Sequence, residues 1–78
     1  MKSTYPVTLY LRRFYAPNNL QFKTLEAAVK EAIETLDAED AWPERIEDNG
    51  EIVWQQSGPF GTRDSLEQFL NQLTILPP

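Results

Sequence analysis

Apolar and polar residues alternate near the start of the chain, where Val7, Leu9 and Leu11 are separated by Thr8, Tyr10 and Arg12. A repeat of two residues is typical of a strand with one buried face. The pattern predicts a strand over Tyr5–Tyr15. Proline and asparagine favour turns, so we expect a turn at Ala16–Asn19. A short returning strand is predicted at Leu20–Phe22.

The next segment repeats its apolar residues every three or four positions, and these are Leu25, Ala28, Val29, Ala32, Ile33 and Leu36. This spacing predicts an amphipathic helix. Thr24 precedes it and suits the N-cap position, because its hydroxyl can accept a backbone N–H that has no partner within the helix. We expect the helix to end around Asp37–Asp40, where acidic side chains meet the unfavourable end of the helix dipole.

An Asn-Gly pair between two strand-like segments predicts a second hairpin, whose register has two alternatives. A two-residue loop pairs Ile46 with Val53 and turns Trp54 to the opposite face. A three-residue loop with a glycine bulge pairs Ile46 with Ile52 and places Trp54 on the same side. The second register gathers three large apolar side chains, and burying each contributes roughly 1.5–3 kcal/mol. We therefore favour it.

A second helix is predicted to begin at Thr62–Ser65 and to carry Leu66, Phe69, Leu70 and Leu73 on one side. Thr74–Leu76 is expected to be extended. Together the elements predict a single domain over residues 1–78 of the α+β class, with the order β(β)αββα. We expect a mainly antiparallel sheet of three to four strands with both helices packed on one face. The other face is then open to a partner.

The composition narrows the chemistry, because the chain has no cysteine and no histidine. Thiolate and imidazole catalysis and zinc sites of the Cys/His type are thereby excluded. The glycines fall singly in turns, and no phosphate-binding loop is recognisable. We expect no enzyme, with no catalytic residue, metal or cofactor. No signal peptide and no apolar run of roughly 20 residues is present, which predicts a cytoplasmic protein without a membrane partner.

The net charge of −5 is unevenly distributed, since residues 1–25 carry +4, residues 26–51 carry −8 and residues 52–78 carry −1. Such a chain either steers toward a charged partner or pairs its own halves within the fold. A solvated acidic helix face is the simpler interpretation.

The leading functional prediction is a small acidic protein-binding module that acts through its open sheet face or an edge strand. Tyrosine, tryptophan and arginine are enriched at interaction hot spots, so the predicted partner-binding residues are Tyr10, Arg12, Arg45 and Trp54, the last of them if the two-residue loop turns it to the open face. The partner is another protein or, through an edge strand, a second copy of the chain. Trp42 is a further candidate contact, although a position closing the end of the core is favoured for it.

Two alternatives concern nucleic acids. An inhibitor of a basic nucleoprotein would imitate phosphate charge with acidic surface residues, for which the candidates are Glu31, Glu34, Glu47 and Asp48. Single-stranded RNA binding would use the aromatic and basic residues of the first strand, from Tyr10 to Tyr15. A domain with a charge of −5 is at an electrostatic disadvantage for binding phosphate directly. Nucleic acid is therefore the less favoured partner.

The hairpin segment Trp42-Pro43-Glu44-Arg45-Ile46-Glu47-Asp48, with its glycine turn and Ile52-Val53-Trp54, resembles one in small uncharacterised bacterial α+β proteins. That resemblance implies a fold and no activity. In its size, acidity and lack of catalytic groups, the chain is also similar to phage-encoded inhibitors, anti-CRISPR proteins among them. The second similarity implies the inhibitor function.

Overall fold

The computed structural model describes residues 5–14, 16–56, 58 and 61–75, without the side chains of residues 74 and 75. Within these residues the order is ββαββα, which confirms the predicted α+β fold. The elements are β1 (Val7–Arg13), β2 (Ala16–Phe22), α1 (Leu25–Asp37), β3 (Trp42–Asp48), β4 (Glu51–Gln55) and α2 (Thr62–Ile75).

The four strands form one open antiparallel sheet in the order β2-β1-β3-β4. Side chains alternate between the two faces of a strand. In β1, Val7, Leu9 and Leu11 are buried on the face that carries the helices. The residues between them face the other way, as the alternating pattern predicts.

Sheet and helices enclose one apolar core, made of Val7, Leu9, Leu11, Ala28, Val29, Ala32, Ile46, Trp54 and Leu66. The apolar stripe predicted for the first helix supplies part of this core from α1. Thr24 caps that helix, because its Oγ1 accepts the N–H of Ala27 at 3.2 Å. Helix α1 ends at Asp37, within the predicted range, and Glu39 follows in a left-handed conformation with a φ of 54°.

The first hairpin reverses earlier than the sequence pattern predicts. Arg13 pairs with Ala16, so the turn lies between these two residues. The predicted turn at residues 16–19 is wrong, because these residues belong to β2. Phe14 has a φ of 51°, the left-handed conformation that tight hairpin turns require. Pro17 is tolerated because β2 is an edge strand.

The second hairpin has a two-residue loop, since Asp48 pairs with Glu51. Asn49 and Gly50 have φ values of 54° and 84°, as expected for a hairpin turn in which both central residues are left-handed. The three-residue loop that we favoured from the sequence is therefore wrong.

A bulge at Val53 changes the register beyond this loop. Ile46 pairs with Trp54, and the neighbouring Glu47 pairs with Ile52. Trp54 consequently returns to the core side, as the favoured arrangement required, but Ile52 faces away from the core and is 51% exposed. The extra residue, Val53, therefore places Ile52 and Trp54 on opposite faces, whereas the favoured register placed them on the same face.

Helix α2 begins at Thr62, and the N–H of Ser65 donates to the C=O of Gly61 at 2.9 Å. It continues through Ile75, so the predicted extended segment is wrong at residues 74 and 75, whereas Leu76 lies outside the described residues. Neither described helix has both the length and the apolar character needed to span a membrane.

Candidate functional site

The sheet face opposite the helices is not covered by any described element. We call it the open face, and strand pairing defines its rows. These rows are Asn19, Tyr10, Arg45 and Gln55; Gln21, Thr8, Glu47 and Ile52; and Pro17, Arg12 and Trp42. Three of the four predicted partner-binding residues therefore lie on one surface.

The centre of the open face is a stacked pair. The guanidinium carbon of Arg45 lies 3.8 Å from the centroid of the Tyr10 ring. The Nε of Arg45 donates to Oε2 of Glu47 at 2.8 Å. This hydrogen bond to a carboxylate raises the pKa of Arg45 above its ordinary value. The guanidinium is held in one orientation by a ring and a carboxylate, so its planar fork is preorganised.

The two adjacent arginines of β1 bind acidic residues from the middle of the chain. Arg12 Nη2 lies 3.4 Å from Oε2 of Glu44, and Arg13 Nη2 lies 2.9 Å from Oδ2 of Asp40. The uneven charge of the sequence is thus partly neutralised inside the fold. This pairing supports the interpretation in which the halves of the chain attract each other.

The other basic residues in the described ranges also have partners. Lys30 pairs with Glu26 at 2.9 Å along α1, and Lys23 lies 5.8 Å from the centroid of the Tyr5 ring. Arg63 binds carboxylates on both helices. Together with the pairs of β1 and the open face, these contacts leave no described basic side chain without an acidic or aromatic partner.

Trp54, the fourth predicted partner-binding residue, lies on the helix side of the sheet. It is 7% exposed, and its Nε1 donates to Oγ of Ser65 at 2.9 Å. We therefore assign it to the core and not to the open face. Ile52 takes the exposed position instead. The exchange results from the bulge at Val53, which no local feature of the sequence predicts.

The predicted acidic surface is divided between the two sides of the sheet. Glu31 and Glu34 lie on α1. Glu47 lies on the open face and binds Arg45, whereas Asp48 pairs with Val7 in a row that points toward the helices. The four carboxylates do not form one continuous acidic patch.

A groove of about 620 Å³ lies where β1 ends and β3 begins, and we call it the end groove. It is lined by Arg12, Phe14, Leu36, Glu39, Asp40, Ala41 and Trp42. Phe14 is 85% exposed and Trp42 38% exposed. Trp42 lies at the end of the sheet beside Arg12 and lines the groove with its exposed part. Arg12 and Trp42 connect the end groove to the open face.

Both edges of the sheet are interrupted. Pro17 in β2 has no N–H to offer an added strand, and the bulge at Val53 distorts β4. Prolines and bulges at edge strands discourage pairing with another chain. The open face is therefore a better candidate surface than either edge.

Among the described residues, no group of three or more acidic side chains is arranged to hold a metal ion. The fold defines the class as an α+β domain with a four-stranded antiparallel open sheet and two helices. No protein-family model matches the chain, and comparisons with curated proteins and solved structures find no match either.

Proposed function

We propose that this protein is a small non-catalytic binding module that contacts another protein through its open face. The observation that carries the proposal is the uncovered sheet surface on which Tyr10, Arg45, Arg12, Trp42 and Ile52 lie together. Residues of these types supply much of the energy at interaction hot spots, with an aromatic or arginine anchor beside apolar area.

The stacked pair of Tyr10 and Arg45 supports this function energetically. A side chain that is already ordered loses little conformational entropy when a partner binds it. Arg45 is ordered by the Tyr10 ring and by Glu47. Ile52 supplies exposed apolar area in the adjacent row, where it pairs with Glu47.

The same contacts favour a protein partner over single-stranded RNA. The Tyr10 ring already carries the Arg45 guanidinium on one face, which removes that face from base stacking. Arg12 and Arg13 are paired with carboxylates, which reduces the positive charge that the first strand offers to phosphate. The division of the acidic residues between the two sides also favours the open face over a charge-mimicking surface.

Comparative capture from the cells that make the protein tests the open face. We would immobilise the wild type, the Tyr10→Ala/Ile52→Ala variant and the Val53→Ala variant, and quantify bound proteins by mass spectrometry. Val53 is the matched control, because it is adjacent to Ile52 and 38% exposed but lines a different groove, beside α2. Circular dichroism would verify that each variant is folded.

We expect a partner that binds the wild type and Val53→Ala but binds the double variant at least about tenfold less well, as for loss of hot-spot residues. Equal capture by all three proteins, or no captured protein, would contradict the proposal. Repeating the capture at high salt distinguishes an apolar interface from a charge-mimicking one, because salt screens exposed charges.

A further inference from the structure

The end groove holds two aromatic rings at its surface. Phe14 is 85% exposed on a backbone with a φ of 51°, and left-handed conformations are uncommon for bulky residues. Trp42 is 38% exposed beside it in the lining of the same groove. Two neighbouring exposed rings in one groove present aromatic surface that is open to a partner.

The rings of the end groove lack the cations that lie over two other aromatic rings of the protein. Lys23 lies over Tyr5, and Arg45 lies over Tyr10. In the described part of the chain, no cation lies over the ring of Phe14 or Trp42. A positive group from outside would therefore meet no competing cation of the described chain at the exposed parts of these two rings.

Among the charged residues that line the end groove, one carboxylate has no oppositely charged partner in the described part of the chain. Of its charged lining residues, Arg12 is paired with Glu44 and Asp40 with Arg13. Glu39 makes no ion pair with another described residue. Since the paired charges cancel, Glu39 sets the sign of the residual charge.

The end of α1 adds to the negative potential of the groove. The carbonyl end of a helix is equivalent to roughly −0.5 elementary charge and favours cations. The last turn of α1 contains no basic residue, and Leu36 from that turn lines the groove together with Glu39. Arg63 of α2 also lies at this helix end, but its charge is paired with Asp37 and Glu67. Rings, carboxylate and helix end are thus complementary to one kind of occupant, a cation with an apolar stem.

We propose that the end groove receives an arginine or lysine side chain of the partner protein, with its charge against Phe14 and Trp42 and its counter-ion in Glu39. This inference rests on the proposed function in that the partner is a protein. The end groove adjoins the open face through Arg12 and Trp42, so the basic side chain would lie at the margin of the main interface.

Nuclear magnetic resonance titration with a capped Gly-Arg-Gly peptide tests this site without the natural partner. The matched probe is the same peptide with citrulline, which keeps the shape of arginine and lacks its charge. We expect the Arg peptide to shift the indole N–H resonance of Trp42 in a saturable manner. The indole N–H of Trp54 is the internal control, because it is hydrogen-bonded to Ser65 inside the core.

Substitution of single acids distinguishes a specific contribution of Glu39 from a general effect of the protein's negative charge. Glu39→Gln should weaken binding of the Arg peptide about two- to fivefold, the size expected for an exposed charge pair, and Phe14→Ala should also weaken it. Glu51→Gln is the control, since Glu51 is an exposed acid on the distant hairpin without a described ion pair. It should bind the peptide like the wild type.

Three results would overturn the proposal: no shift at Trp42, equal shifts with the citrulline peptide, or equal weakening by Glu39→Gln and Glu51→Gln. The titration is independent of the open face. If Tyr10→Ala/Ile52→Ala retains the natural partner while the peptide still binds at Trp42, the proposed function has failed and the end groove has not. If the double variant loses the natural partner and the peptide does not bind at Trp42, the proposal for the end groove has failed and the proposed function has not.

Discussion

Arg63 holds the carboxylate of Asp37 with two hydrogen bonds, from Nε to Oδ1 at 2.7 Å and from Nη2 to Oδ2 at 3.1 Å. Asp37 is the last residue of α1, and Arg63 lies in the first turn of α2. A carboxylate at the carbonyl end of a helix is unfavourable, and the arginine offsets this while also binding Glu67 on its own helix. The pair therefore joins the two helices at a point where α1 alone would be destabilised.

The acid limb of the stability curve should depend on Asp37. Hydrogen bonds from Arg63 lower its pKa in the folded state below the ordinary value of 3.8. A group with a lowered folded pKa contributes its full stability above the unfolded pKa and loses it as the pH falls through the folded pKa. We expect Asp37→Asn to be less stable than the wild type at neutral pH. This difference should begin to shrink as the pH falls below about 4 and should disappear below the folded pKa of Asp37.

Urea unfolding followed by circular dichroism at several pH values measures this difference. The effect should be small, because both side chains are about half exposed. Glu51→Gln is the control, since Glu51 is an exposed acid in β4, away from both helices, and makes no ion pair with a described residue. Parallel curves for the wild type and Asp37→Asn would show that the carboxylate does not contribute as described.

The hydrogen bond from Trp54 to Ser65 should connect β4 to α2 energetically. Trp54→Phe keeps a buried ring but removes the indole N–H, and we expect a loss of about 1–2 kcal/mol in the free energy of unfolding. Ser65→Ala should cost about 1 kcal/mol. A double-mutant cycle with urea unfolding measures the coupling, which we expect to be positive. Strictly additive losses would mean that the bond contributes nothing.

Two buried threonines should respond in opposite directions to substitution by valine. Thr35 Oγ1 donates to the C=O of Ala32 at 2.8 Å, whereas the buried Oγ1 of Thr62 has no hydrogen-bond partner. A buried hydroxyl without a partner costs about 1–3 kcal/mol, and a made hydrogen bond contributes about 1 kcal/mol. We expect Thr62→Val to raise the melting temperature and Thr35→Val to lower it. A lower melting temperature for both would show that Thr62 is satisfied in solution.

The stack of Tyr10 and Arg45 should be measurable in the isolated protein. Cation–π contacts at exposed sites contribute about 0.5–1 kcal/mol. We expect this coupling energy from a cycle of Tyr10→Leu and Arg45→Met, with urea unfolding as the measurement. Tyr10→Phe is the control, because it retains the ring and should retain most of the coupling. A coupling near zero would remove the ordered anchor from the centre of the open face.

Elements with a regular local pattern are the ones that the sequence predicts. The stripe that includes Ala28, Val29 and Ala32 identifies α1, and Thr24 identifies its start. The spacing of three and four brings these side chains to one side of any helix, whatever surrounds it. The Asn-Gly turn similarly identifies the second hairpin, because both residues adopt left-handed conformations readily.

The sequence predicts the first turn at the wrong position, because the residues that favour a turn lie in strand β2. Pro17 and its neighbouring asparagines favour a turn, yet they form an edge strand where a missing N–H is tolerated. The actual turn includes Phe14 in a left-handed conformation, which bulky residues such as phenylalanine rarely adopt. Pairing along β1 determined the register, since a slip of one residue would turn Leu20 and Phe22 away from the core.

By itself, the sequence determined the α+β class, the order of the elements and the face on which Tyr10 and Arg12 lie, because these follow from local periodicity and turn chemistry. Only the tertiary structure decided the bulge at Val53, which places Trp54 in the core against Ser65 and exposes Ile52. It also decided the ion pairs, since Arg12 and Glu44 are 32 residues apart. Contacts of that range depend on how the elements pack, and local preference does not encode them.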